Sequence, residues 1–370
     1  MVYPIKILHV IGIMNRGGAE TFIMNLYRSI DRSKVQFDFV EGSNQSAAYD
    51  QEIMELGGRV YRCPRFNGKN LFAYRKWWND FFKEHASEYV AVHGHIGSTA
   101  AIYLSIAKKY GLQTIAHSHG EYGKLSFKQT LYKGLSYPTR YISDDFFTCS
   151  EAAGTDRFGK KVSLKYIRNG IDTEQFRYNT VLREEMKNEF GWNDCIIFGH
   201  VGRFTAEKNH KKILDIFRRI NSKNERTRLV LVGDGPLKEE LERYADSIGV
   251  SKNVCFTGVR SDVNRLLNGM DVLIFPSIHE GLPVTLVEAQ CTGLKCLISD
   301  CITNEAVMDP GLITFKSIQD SDETWAEEAL KLADYVRKDG SIAVKEKEFD
   351  IEDTAKELQE YYCSLGERHE

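Results

Sequence analysis

Two carboxylates, Glu280 and Glu288, stand eight residues apart in the stretch His-Glu-Gly-Leu-Pro-Val-Thr-Leu-Val-Glu at 279–288. Carboxylates accept hydrogen bonds readily from hydroxyls, so a ribose or another sugar is a natural ligand. Proline is tolerated in a helix only in its first turn, where its missing N–H is no loss, so Pro283 sets a helix start between the two acids. The run 271–277, Asp-Val-Leu-Ile-Phe-Pro-Ser, reads as a buried strand ended by proline, and Gly293 reads as the helix stop. Strand, loop and helix N-terminus together make an anion site, because free N–H groups and the positive dipole end point outward there. A ligand with both phosphates and hydroxyls fits this arrangement. The plainer alternative is a solvated helix face.

A second strand-to-loop junction, Val-Gly-Arg-Phe-Thr-Ala-Glu-Lys-Asn-His at 201–210, carries Arg203 and Lys208. A guanidinium offers a planar fork and an ammonium a mobile point charge, and the two can converge on one phosphate. Glu207 between them is a candidate to orient Lys208. Glycine turns recur at Gly17-Gly18, at Gly233-Asp-Gly235-Pro236 and at Gly258, just before Val259-Arg260. Each can be a tight turn and nothing more, and none is a G-x-G-x-x-G dinucleotide fingerprint. His117 and His119 lie two apart at the end of a strand and so share a face. With His93 and His95 they could form a four-histidine metal cluster, or be structural. Asp320-Ser-Asp322 has the form of a metal-binding D-x-D, but its place before a helix favours an N-cap role for Ser321 or Asp322.

Apolar runs and amphipathic stretches alternate around these motifs. Strands are expected at 5–11, 37–40, 89–93, 113–116, 146–149 and 164–167, with helices at 19–30, 71–85 and 98–110. After Asn-Gly-Ile-Asp at 169–172 the rhythm restarts, with strands at 196–201, 228–232, 254–257, 272–275, 295–299 and 312–315. Helices follow at 211–221, 237–248, 283–292 and 321–337, and 351–365 is a further amphipathic stretch. Alternation of this kind predicts βαβ units and parallel sheets. The expected architecture is two doubly wound α/β domains, 1–172 and 173–350, with 351–370 as a terminal helix. Ligands of such sheets bind beyond the carboxyl ends of the strands, so a cleft between the halves is the expected active site.

In their order along the chain, these motifs resemble retaining GT-B glycosyltransferases of family 4. The resemblance implies two Rossmann-like domains facing across a cleft, with 351–370 packing back on the first. It implies transfer of a hexose or N-acetylhexosamine from a nucleotide sugar, a UDP-sugar above all, with retained anomeric configuration and no metal cofactor. Carried over residue by residue, Gly17 and Gly18 form the first-domain glycine loop facing the donor phosphates. Arg203 and Lys208 are the diphosphate-binding pair, Gly233 and Gly235 lie near the donor, and Val259 and Arg260 meet the base. Gly281, Leu282, Pro283, Val284 and Thr285 form the helix start at the donor. Glu280 contacts the donor sugar and Glu288 the ribose. His119, or less closely His117, stands at the reacting sugar, and His95 in the acceptor cleft. Other readings stay open: a nucleotide-sugar 2-epimerase, an inverting GT-B enzyme, or an idle nucleotide-sugar-binding module.

Bulk numbers narrow the rest. At 370 residues, two domains are the default. The eight cysteines form no C-x-x-C pair, which argues against a zinc site or a disulfide framework and for a reducing cytoplasm. No signal peptide is expected at the N-terminus, and no apolar run approaches the roughly 18 residues of a spanning helix. The net charge of −3 is uneven: residues 1–170 carry 23 Lys/Arg against 15 Asp/Glu, a net +8, and the remainder 26 against 37, a net −11. A basic first half suits peripheral contact with the anionic inner membrane and a saccharide acceptor carried on a lipid phosphate, as in exopolysaccharide or capsule assembly. Solubility alone is an equal reading of the same charge. Basic residues are not interleaved with aromatics in a compact patch, so a nucleic acid is not an expected partner.

Overall fold

The computed structural model describes residues 4–120 and 127–368, and the chain divides into two compact units. Unit 1 comprises 1–170 and 351–370, and unit 2 comprises 171–350.

Unit 1 opens with β1 (Ile5–Ile11), α1 (Gly18–Ser29), β2 (Val35–Glu41), α2 (Asp50–Glu55), β3 (Val60–Arg62) and α3 (Leu71–His85). It continues through β4 (Ala91–Gly94), α4 (Gly97–Lys109), β5 (Gln113–Ser118), α5 (Phe127–Ser136), β6 (Asp145–Thr148), α6 (Glu151–Phe158) and β7 (Lys165–Tyr166). Its seven strands run in the order β3-β2-β1-β4-β5-β6-β7, and all pair in parallel. Strand order reverses between β1 and β4.

Unit 2 holds α7 (Thr180–Phe190), β8 (Ile196–Val201), α8 (His210–Lys223), β9 (Thr227–Val232), α9 (Lys238–Ser247), β10 (Val254–Gly258), α10 (Val263–Gly269) and β11 (Val272–Phe275). After these come α11 (Val284–Cys291), β12 (Lys295–Ser299), β13 (Ile313–Lys316), α12 (Asp322–Leu332) and α13 (Ser341–Glu346). The parallel order is β10-β9-β8-β11-β12-β13, reversing between β8 and β11.

The last helix, α14 (Ile351–Arg368), shows why it joins unit 1. Ile351, Ala355, Leu358, Tyr362 and Leu365 recur at helical period and are buried in one core with Ile5 and Ile7 of β1 and Phe22 and Leu26 of α1. Each large side chain buried there contributes about 1.5–3 kcal/mol.

Several boundaries differ from the sequence expectation. β3 was not anticipated, being a three-residue edge strand with no apolar run. α11 begins at Val284 with Pro283 as its N-cap (φ −76°, ψ 97°) rather than inside its first turn. α12 stops at Leu332 rather than reaching 337. Arg337 explains the difference: its guanidinium donates to the carbonyls of Leu267, Asn268, Met270 and Thr292, at 2.6–3.0 Å. Those bonds satisfy orphan carbonyls at the ends of α10 and α11, and they draw the segment out of helix. Gly293, the expected stop, does adopt a left-handed φ of 69°. Ser321 caps α12, accepting from the Thr324 N–H at 3.2 Å, which absorbs the Asp-Ser-Asp motif as a helix start.

Candidate active site

In unit 2 the two strands flanking the reversal, β8 and β11, deliver the chemistry at their carboxyl ends. Lys208 follows β8 and Glu280 follows β11, and Lys208 Nζ lies 2.7 Å from Glu280 Oε1. The ammonium also sits 5.1 Å from the Phe275 ring centre. Two hydrogen bonds fix this geometry, from the Ile278 backbone N–H to the Glu207 carbonyl at 2.8 Å and from the Asn209 side-chain Nδ2 to the Pro276 carbonyl at 3.2 Å. Glu207, expected to orient Lys208, is exposed, and the partner is Glu280 instead. Arg203 is exposed and pairs with no carboxylate among the described residues. Its fork is therefore available to an anion.

The helix tip beyond Glu280 is also open. Leu282 and Pro283 are buried and Gly281, Val284 and Thr285 partly so, while α11 has neither a side-chain cap nor an acidic residue in its first turn. Glu288 lies one turn further on, partly buried, and no side chain pairs with it among the described residues. Burial raises its carboxyl to about 7. A carboxylate held this way gains from a hydroxyl donor.

Gly233 and Gly235 hold the loops after β8 and β9 together. Gly233 has φ 137°, and a Cβ there would stand 2.1 Å from the Gly202 carbonyl oxygen. A Cβ on Gly235 would stand 2.5 Å from the Phe204 carbonyl oxygen. These glycines exist for close backbone approach. Phe204 N–H donates to the Asp234 carbonyl at 2.9 Å across that approach. Val259 is exposed beyond β10. Arg260 is engaged elsewhere, gripping both Asp262 oxygens at 2.8 Å, which leaves its backbone rather than its guanidinium for a ligand.

Unit 1 furnishes its reversal differently. Gly17 caps α1, with Glu20 folded against it so closely that a Cβ on Gly17 would meet the Glu20 carboxylate at 2.3 Å; Gly18 faces open space. A cavity of about 310 Å3 is lined by Gly12, Ala19, Glu20, His95 and Arg157, among others. His95 lines it as expected, but both its ring nitrogens are taken. Nδ1 lies 2.7 Å from His119 Nε2, and Nε2 lies 3.0 Å from His9 Nδ1. His117 is fully buried, whereas His119 keeps some exposure, which separates two residues that sequence spacing left equivalent. His9, in the middle of β1, escaped the sequence reading because it sits in a run that reads as ordinary buried strand.

Two histidine triples, His9/His93/His95 and His95/His117/His119, bring one ring nitrogen from each residue within 4.8 Å of the others. Imidazole sets of that kind hold zinc or copper. Here their nitrogens are largely spent on one another.

Comparison with known proteins places both halves. The model for glycosyltransferase family 4 matches residues 16–175, and that for glycosyl transferases group 1 matches 183–334. EpsF of Bacillus subtilis (strain 168), a glycosyltransferase by name, is 37% identical over 337 residues, covering 89% of this chain and 88% of that one. The UDP-Gal:alpha-D-GlcNAc-diphosphoundecaprenol alpha-1,3-galactosyltransferase of Escherichia coli is 27% identical over 238 residues, 60% of each chain. Among solved structures, Anabaena HepE in complex with UDP and glucose superposes with a TM-score of 0.76 at 16% identity, covering 96% of this chain and 99% of that one.

Proposed function

This chain belongs to the family 4 glycosyltransferases and has the GT-B fold, and from that premise we propose that it moves a hexose or N-acetylhexosamine from a UDP-sugar to a lipid-linked saccharide, with retention. The observation that carries the reading is the grouping at the β8/β11 reversal: Lys208 paired with Glu280, an exposed Arg203, an uncapped helix tip, and a Glu288 that no side chain pairs among the described residues.

Cleaving a sugar–diphosphate bond builds negative charge on the leaving group. Lys208, Arg203 and the N–H groups at the start of α11 are placed to stabilise that charge as it grows. Cations and a helix dipole supply what a divalent metal would otherwise supply, so the reaction proceeds without one. Glu280 orients the donor sugar while holding Lys208, and Glu288 accepts from the ribose hydroxyls. With Glu288 assigned to the ribose, Glu280 and Glu288 do not form the carboxylate pair flanking the reacting carbon that a double-displacement enzyme needs, so no covalent nucleophile is assigned. Attack on the same face, with the leaving phosphate drawing the acceptor proton, accounts for retention. His119 meets the reacting sugar.

Support for the donor comes from the E. coli relative, named for UDP-Gal, and from HepE, solved with UDP and glucose. The same relative is named for a diphosphoundecaprenol acceptor, which supports a lipid-linked acceptor and a role in exopolysaccharide or capsule assembly at the cytoplasmic face of the membrane. Among the described residues no helix is long and apolar enough to cross a membrane. Peripheral contact suits α5 and the turn after it, where Leu131, Leu135, Tyr137 and Tyr141 are exposed beside Lys133 and Arg140.

A panel of nucleotide sugars tested for thermal stabilisation checks the donor. One UDP-sugar should raise Tm by several degrees without added metal; a panel in which only GDP- or ADP-sugars act would overturn the uridine assignment. Anomeric analysis of the product by NMR then separates retention from inversion.

A further inference from the structure

Five imidazoles share one face of the unit 1 sheet: His9 on β1, His93 on β4, His95 just beyond it, His117 on β5 and His119 just beyond that. His9 stands opposite His93 in the parallel register. Burial holds the His9 and His119 rings to about 3, with charge repulsion adding to it, and holds the other three well below the ordinary value. At neutral pH every ring is therefore uncharged, with one donor nitrogen and one acceptor.

That condition turns contacts into logic. His9 Nδ1, His95 Nε2, His95 Nδ1 and His119 Nε2 form an unbroken chain at 3.0 and 2.7 Å. If His9 donates from Nδ1, then His95 must donate from Nδ1 to His119, and His119 carries its proton on its own Nδ1. If His9 holds its proton on Nε2, every bond reverses, and His119 Nδ1 is a bare lone pair. The three rings are all Nδ1–H or all Nε2–H. Neither end is pinned, because His9 Nε2 and His119 Nδ1 are both buried and have no partner among the described residues.

A parallel chain shows what pinning looks like. His117 Nδ1 lies 3.1 Å from His93 Nε2, and His93 Nδ1 lies 2.7 Å from the Tyr362 hydroxyl. The phenol proton has no other acceptor among the described residues, so Tyr362 donates, His93 passes the polarity on, and His117 is fixed as Nε2–H.

We propose that His9 is a positioning residue that sets, through His95, whether His119 presents a proton or a lone pair at Nδ1. The inference rests on the reading above that His119 meets the reacting sugar.

The test uses the full chain with 15N-labelled histidine and long-range 1H–15N correlation, which reports each ring's tautomer. In the wild type, His9, His95 and His119 should share one tautomer, or one averaged ratio, while His93 and His117 stay Nε2–H. His9→Phe should pack, since His9 lies against Phe37 and Phe39 with ring centres 4.2 and 5.5 Å away. It should shift the His119 nitrogens and lower kcat about tenfold, the effect of one hydrogen bond, with donor KM within about twofold. His9→Asn, which can again bond His95, should recover most of the loss. Unequal tautomers along the wild-type chain, or a His119 spectrum untouched by His9→Phe, would overturn the relay. So would stoichiometric Zn2+ uptake that abolishes the ring N–H signals. His119→Ala separates the two readings: if turnover survives that substitution, the premise about His119 fails, while the nitrogen spectra still decide the relay.

Discussion

Both sheets reverse strand order at matching points, between β1 and β4 in unit 1 and between β8 and β11 in unit 2, yet they equip those points with opposite chemistry. Unit 2 places an ammonium, a guanidinium, two carboxylates and a helix dipole there. Unit 1 places five uncharged imidazoles and a phenol there, with Glu20 and Arg157 on the wall of the adjoining cavity. One architecture thus supplies a site built of charged groups and a site built mainly of neutral rings, and the difference lies in a few residues on the strands and just beyond their ends. It also matches the two substrates proposed. A diphosphate needs counter-charge that grows with bond cleavage, whereas saccharide hydroxyls need donors and acceptors whose polarity can change without a buried charge.

The most severe way to break the comparison is to remove its strongest charge. Lys208→Ala should lower turnover by about 10^2–10^3-fold, as loss of a single preorganised transition-state donor does. It also strands Glu280 without its partner at 2.7 Å, so the melting temperature should be measured in parallel. A variant that stays folded and keeps near-normal turnover would remove Lys208 from the site. Next in size is Gly233→Ala. With φ at 137° and a Cβ only 2.1 Å from the Gly202 oxygen, it should cost about 3 kcal/mol in urea unfolding and abolish stabilisation by the donor. An alanine variant as stable as the wild type would show that the loops after β8 and β9 do not need their close approach.

Legibility in the sequence followed the same division. The charged site was readable because Arg203, Lys208, Glu280 and Glu288 lie in short motifs beside glycine and proline, each advertising a turn or helix start. The strands of unit 2 were readable for the same reason, being apolar runs between such turns. The neutral site was readable only in part: strand spacing grouped His93, His95, His117 and His119, but His9 is hidden inside a buried strand, Tyr362 lies 269 residues from its partner His93, and tautomers leave no trace in spacing. The short helices α2, α6, α10 and α13 also went unread, since six to eight residues carry too little periodicity. The pairing of Lys208 with Glu280 instead of Glu207 could be seen only once β8 and β11 were neighbours.

A smaller effect sharpens the contrast through pH. The Glu288 carboxyl is raised by burial from its ordinary 4.5 to about 7. An acid with a raised folded value keeps its proton longer in the fold, so its stabilising contribution is full below about 4.5 and is lost as pH climbs to about 7. Glu288→Gln stays neutral throughout. Its stability relative to the wild type should therefore improve by about 1–2 kcal/mol between pH 5 and 8, contact with water trimming the full linkage value. Donor binding should run the other way. Ribose hydroxyls favour the ionised carboxylate, so wild-type affinity for a UDP-sugar, whose phosphates do not titrate here, should rise through pH 7 and that of Glu288→Gln should stay flat. A flat wild-type profile in calorimetry would take Glu288 away from the ribose.

The mildest test addresses unit 1 alone. Tyr362→Phe removes one hydroxyl from α14 and leaves His93 Nδ1 buried without its 2.7 Å donor. In a network of neutral groups that loss should cost only about 1 kcal/mol, and the difference should be unchanged from pH 6 to 8, because no ring in the cluster titrates there. The variant therefore tests whether the histidine face is truly charge-free. A Tyr362→Phe penalty that varies steeply with pH across this range would mean that one of the five imidazoles carries a proton charge in the fold, and the contrast between the two sites would give way to two charged ones.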